Sequence, residues 1–156
     1  MQIKGLMLDP VTNVPIVILR DEDGQRVLPI WVGPAEANAI ALQIENLSPP
    51  RPMTHDLLRD VVGALGVTVS RVIISDLKGS TYYAYLELRQ GEDVILVDAR
   101  PSDALALAAR TRAPIFVQSA VLDQEKSLDV ATDQADQDRL QRWLESLDPD
   151  DMGYKM

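Results

Sequence analysis

A chain of 156 residues, 46% apolar and 25% charged, has the composition of a folded domain with a sizeable core. It has no cysteine, which excludes disulfides, zinc–thiolate sites, iron–sulfur clusters and a thiol nucleophile, and its single histidine excludes any mechanism that needs two imidazoles. The net charge of −9 is not the basic footprint of a protein that grips nucleic acid through many phosphate contacts, so such chemistry would have to rely on local arginines or bridging cations.

Residues 3–8 and 15–20 read as strands, and Asp21-Glu22-Asp23-Gly24 makes a hairpin turn into a third strand at 26–32. Pro34 opens a helix in which Ala37, Ile40, Ala41, Ile44 and Leu47 recur at three- and four-residue spacing, and Ser48-Pro49-Pro50-Arg51-Pro52 stops it. Thr54 is the expected cap of a second helix, with Leu57, Leu58, Val61, Val62 and Leu65 as its apolar stripe and Gly66 at its end. Three more strands follow at 67–75, 82–89 and 93–97, with Gly79 and Gly91 in the turns. Pro101 and Ser102 start a third helix that runs to about Arg112, and 114–117 resumes as a buried strand.

Setting residues 3–42 against the chain shifted by 67 positions superposes Asp9 on Asp76, Gly24 on Gly91, Pro34 on Pro101 and Glu36 on Asp103, without a gap. The pattern predicts two copies of a unit of three strands and a helix, with an extra helix inserted after the first copy. Because the strands come in hairpin runs before each helix, the fold class is α+β, with both copies expected in one mixed sheet and the helices packed on it. This domain is expected over residues 1–122.

Residues 123–156 turn polar and acidic, with ten acids and four bases. There Leu140, Trp143, Leu144 and Leu147 give one short amphipathic helix, expected to dock on the core or on a neighbouring subunit. Low aromatic content together with this helix predicts an apolar surface larger than one subunit covers, hence a homo-oligomer. The first residues enter a strand pattern without a signal-peptide signature, and no apolar run has the length of a membrane span. A cytoplasmic protein without membrane association is the expectation.

Two segments carry the candidate chemistry. In Arg51-Pro52-Met53-Thr54-His55-Asp56 and in Asp98-Ala99-Arg100-Pro101-Ser102-Asp103, an Arg-Pro pair precedes a hydroxyl residue and an aspartate at a helix start. Guanidinium, carboxylate and backbone N–H groups placed together there suit an anion, a metal or a phosphodiester. Imidazoles exchange protons near neutral pH, which makes His55 a candidate general base; an exposed first-turn histidine without a role is the plainer alternative. Asp56 and Asp103 complement the positive end of a helix dipole, which is reason enough for either, or they hold Mg or Mn together with Asp98 at its strand end. Arg51 and Arg100 suit bidentate phosphate binding, or else ion pairs with neighbouring aspartates. The matched aspartates Asp9 and Asp76 are read as turn formers. No Gly-rich phosphate loop and no Gly-x-Ser-x-Gly elbow is present.

These segments resemble the bifunctional nuclease family. The resemblance is carried by Leu28-Pro29-Ile30-Trp31-Val32-Gly33 with Glu36-Ala37, by Arg51 to Leu58, by Val72 to Leu77 with Tyr82-Tyr83-Ala84, and by Val97 to Ala104. It covers about residues 1–122 in order. It implies DNase and RNase activity, dependent on a divalent cation, in a compact mixed domain that self-associates. It transfers no catalytic roles residue by residue. On this reading Asp98 and Asp103, with Asp56, hold the cation, Arg51 and Arg100 hold the phosphate, and His55 moves a proton. The alternative is a non-catalytic oligomeric module that binds a small anionic ligand or a protein, with the same residues as caps and ion pairs.

Overall fold

The computed structural model describes residues 1–124, so the helix expected near Leu140 lies outside the described residues. The chain begins with three antiparallel strands, β1 (Gln2–Leu8), β2 (Pro15–Arg20) and β3 (Val27–Trp31), followed by helix α1 (Pro34–Ile44). Helix α2 (Thr54–Ala64) follows. Three longer strands come next, β4 (Thr68–Lys78), β5 (Thr81–Gln90) and β6 (Asp93–Ala99), and then helix α3 (Pro101–Thr111) and the short β7 (Ile115–Val117). The fold is α+β, and the order of three strands and a helix occurs twice. Both α1 and α3 are 11 residues long with proline at the start, and Gly24 and Gly91 both take positive φ in the preceding hairpins.

The strands do not form one mixed sheet. β1-β2-β3 make one sheet and β6-β5-β4-β7 another, in which only the β4–β7 pair is parallel. The terminal ammonium of Met1 donates to the carbonyl of Ile115 at 2.7 Å, linking β1 to β7. β4 is also longer than its apolar run suggested, so Asp76 lies inside the strand opposite Tyr83, beside an irregularity in register. Hairpin pairing with β5 holds it there. Asp9 does form a turn: its Oδ1 accepts the N–H groups of Val11 and Thr12.

The main core lies between the helices and the inner faces of the sheets, where Val17, Leu19, Leu28, Ile40, Val72, Ile74, Leu105 and Leu107 are buried. Full burial of each such side chain contributes roughly 1.5–3 kcal/mol. α1 and α3 pack on one another, and Ala37, Ala41, Ala104 and Ala108 are all buried in this part of the core. Alanines permit a close approach of two helices. That approach brings the two helix starts together.

α2 departs from expectation in two ways. Thr54 is its first residue rather than its cap; the preceding residue, Met53, donates its N–H to Asp56 Oδ2 at 3.0 Å. The apolar stripe is also uncovered, for α2 has no buried residue and Leu57, Leu58, Val61 and Leu65 are exposed. Only Val62 on this stripe packs against the core. No described helix is long and apolar enough to cross a membrane.

Candidate functional site

Both predicted segments contribute to one cluster, because three helix starts meet there. Arg100 is the residue before α3, Asp103 lies in the first turn of α3, Glu36 in the first turn of α1, and His55 is the second residue of α2. His55 Nε2 lies 2.9 Å from Asp103 Oδ1. The other oxygen of Asp103 accepts from Arg100 Nε at 2.9 Å, and Arg100 reaches on to Glu36 Oε1 at 2.6 Å. The result is a continuous chain, His55–Asp103–Arg100–Glu36, across three helices.

Exposure grades along this chain. The His55 side chain keeps 12% of its surface, Asp103 32% and Arg100 65%, so the imidazole sits at the back and the guanidinium faces solvent. An ionised carboxylate can only accept, so toward an ionised Asp103 the His55 Nε2 is the donor, and in the neutral form of that imidazole Nδ1 is the acceptor. The guanidinium of Arg100 is held further above its ordinary range by the carboxylates of Glu36 and Asp103, and so stays charged. Three helix dipoles add their positive ends to this charge. Two carboxylates, Glu36 and Asp103, balance it.

Asp56 does something different. Its Oδ1 accepts from Arg110 Nε at 2.6 Å, and its Oδ2 closes the start of α2 on Met53. The Arg110 side chain is almost wholly buried and also donates to the carbonyls of Ala106 and Ala39. Burial pushes the Asp56 carboxyl up, but the Met53 N–H and the Arg110 guanidinium outweigh it and hold the group below its usual range. Asp56 is the ion-paired cap that a first-turn aspartate is on the plainer reading.

Two other predicted residues stay outside the cluster. Alternation along β6 turns Val97 to the helix-covered face, opposite Leu86, and Asp98 to the other face, opposite Tyr85, where it is exposed. Arg51 is exposed and forms no ion pair among the described residues. The cation expected on Asp98, Asp103 and Asp56 therefore has no shared donor set. Both oxygens of Asp103 and of Asp56 are engaged, and among the described residues no three histidine or acidic side chains converge as metal ligands do.

Sequence reasoning missed Glu36 and Arg110. For Glu36 the signal was present, since the 67-residue shift superposes it on Asp103, and both carboxylates grip the same guanidinium. For Arg110 the signal was a charge in an Ala- and Leu-rich helix, where nothing apolar explains it.

A family model described as the bifunctional nuclease domain matches residues 17–129. The uncharacterized protein Rv1829 of Mycobacterium tuberculosis is 42% identical over 159 residues, covering 96% of this chain and 95% of that protein. Bifunctional nuclease 2 of Oryza sativa subsp. japonica is 32% identical over 111 residues, 69% of this chain and 34% of the rice protein. Bifunctional nuclease 1 of Oryza sativa subsp. indica is 29% identical over 109 residues, 67% of this chain and 33% of its own length. The similarity to these rice proteins thus spans about a third of their length.

Proposed function

Because the chain belongs to the bifunctional nuclease family, we propose that the cluster at its three helix starts hydrolyses phosphodiester bonds of DNA and RNA. The observation that carries this reading is the His55–Asp103–Arg100–Glu36 chain, which sets a proton acceptor beside an exposed guanidinium at the positive ends of three helices. A phosphate oxygen takes the place of one carboxylate on Arg100. Nδ1 of His55 then removes a proton from water as the water oxygen bonds to phosphorus. The phosphorus–oxygen bond to the leaving nucleoside breaks, the leaving oxygen takes a proton from solvent, and His55 returns its own to solvent. Asp103 stabilises the imidazolium meanwhile.

The cation expected from the sequence finds no ready donors, so no step is assigned to it. Titration with magnesium and manganese against EDTA measures whether one is needed. The internal pairing of Arg100 favours the second reading, a non-catalytic oligomeric module in which these residues are structural ion pairs and which binds a small anionic ligand or a protein, and one experiment separates the two. His55→Ala and Asp103→Asn, purified identically to the parent, are assayed on single- and double-stranded DNA and on RNA. The nuclease reading expects rates lower by about 10²–10⁴-fold with unchanged melting. Parent-like cleavage by both variants assigns the activity to a contaminant and leaves the anion-binding module.

A further inference from the structure

Among the described residues β6 is an end strand of the second sheet, hydrogen-bonded only to β5, and none of its residues is buried. Exposed edges are usually blocked by proline, lysine or a bulge. The outer strand of the first sheet, β3, has Pro29. β6 has none of these: its middle, from Val94 to Val97, is apolar, and its register against β5 is regular. α2 runs beside it. The His55–Asp103 contact fixes one end of α2 near the end of β6, and Gln90 Nε2 donates to the Leu65 carbonyl at 3.0 Å, fixing the other end near the β5–β6 turn. Leu57, Val61 and Leu65 on this helix are between 47% and 65% exposed, and Ile95 and Leu96 on the strand are 44% and 62% exposed.

We infer that this edge pairs with the same edge of a second copy of the chain, antiparallel about a two-fold axis perpendicular to the sheet. The occupant follows from the chemistry of the edge. A row of unpaired backbone N–H and C=O groups is extended by a strand, whereas the apolar spacing at Leu140, Trp143, Leu144 and Leu147 is helical. Charge then selects the register. Centring on Leu96 sets Leu96 against Leu96, Ile95 against Val97 and Asp93 against Ala99, so Asp93 and Asp98 never face each other. A perpendicular two-fold keeps both copies the same way up, which brings the two uncovered α2 helices to one side of an eight-stranded sheet. The 7 residues of β6, with the exposed Leu57, Leu58, Val61 and Leu65, form the apolar centre of an interface that in stable complexes takes about 20–30 residues per side. This inference does not depend on catalysis, although α2 is also the helix that presents His55.

The test uses the full chain and reads mass, not activity. Light scattering at micromolar concentration is expected to give a dimer. Leu96→Lys sets like charges against each other across the axis and is expected to give a monomer with unchanged circular dichroism, and so is Leu96→Glu. Mixing the two variants restores the dimer, because lysine then faces glutamate. Hydrogen exchange provides the check that needs no variant: β6 amides exchange more slowly as the parent protein is concentrated. A dimer that persists in Leu96→Lys, or a mixture that stays monomeric, overturns the inference. So does a monomeric parent with protected β6 amides, which would place the chain beyond residue 124 on the strand.

Discussion

Asp56 and Arg110 join α2 to α3 through a 2.6 Å hydrogen bond between a largely buried carboxylate and an almost fully buried guanidinium. α2 has no buried residue of its own, so this pair and the His55–Asp103 contact add to the packing of half-buried Val62 in tying the helix to the core. Asp56→Ala leaves the buried cation with only its two carbonyl partners and opens the start of α2. The expected loss is on the order of 3 kcal/mol, read from urea denaturation. A loss below about 0.5 kcal/mol would show that the pair does not anchor the helix.

The same pair sets an acid response. The Asp56 carboxyl lies below its ordinary value of 3.8 in the folded protein. A depressed carboxylate contributes stability that is fully present above the unfolded value and is lost as pH falls through the folded one. Unfolding midpoints measured downward from pH 5 are therefore expected to fall more steeply below about pH 4 for the parent than for Asp56→Asn. Parallel curves would assign the acid sensitivity to other carboxylates, among which Glu87 is also held low, chiefly by its hydrogen bond from Arg71.

Gly33 keeps Glu36 in position. A Cβ at Gly33 would stand 2.5 Å from Glu36 Oε2, while the backbone there, at φ −70, is open to any residue. Gly33→Ala is thus expected to shift the flexible carboxylate off Arg100 at a stability cost below about 1 kcal/mol. On the proposed mechanism the guanidinium loses its brace, and cleavage falls on the order of 10-fold to 100-fold. Parent-like kinetics would make Glu36 a bystander.

Arg100→Lys keeps the charge but loses the fork that reaches Glu36 and Asp103 together. A raised KM with melting close to the parent's is the expected result. An unchanged KM would remove Arg100 from the substrate-binding role.

Asp98 provides the opposite case. Its side chain lies on the face of the sheet away from the helices, so Asp98→Asn is expected to leave both melting and cleavage near the parent's. A large loss of cation-dependent cleavage in this variant would return Asp98 to the site.

Local chemistry made much of this protein legible in the sequence. Hairpin glycines, helix-opening prolines and apolar spacing placed strands β1 to β7 and helices α1 to α3, because each depends on backbone preference and on neighbours a few residues away. Family membership was legible for the same reason, in short motifs. For His55 and Asp103 the sequence placed each residue at a helix start, and the contact between them came from the packing of α2 on α3. Tertiary structure decided the rest. Whether the strands made one sheet or two depended on edges far apart in sequence, and strand alternation turned Asp98 away although it sits between motif residues. It was packing of α1 on α3 that brought Glu36 to Arg100, 64 residues away, and gave Asp56 a buried partner in Arg110. An aspartate in the first turn of a helix looks the same in sequence whether it caps, pairs or reacts, since its role is set by the charge the fold brings to it.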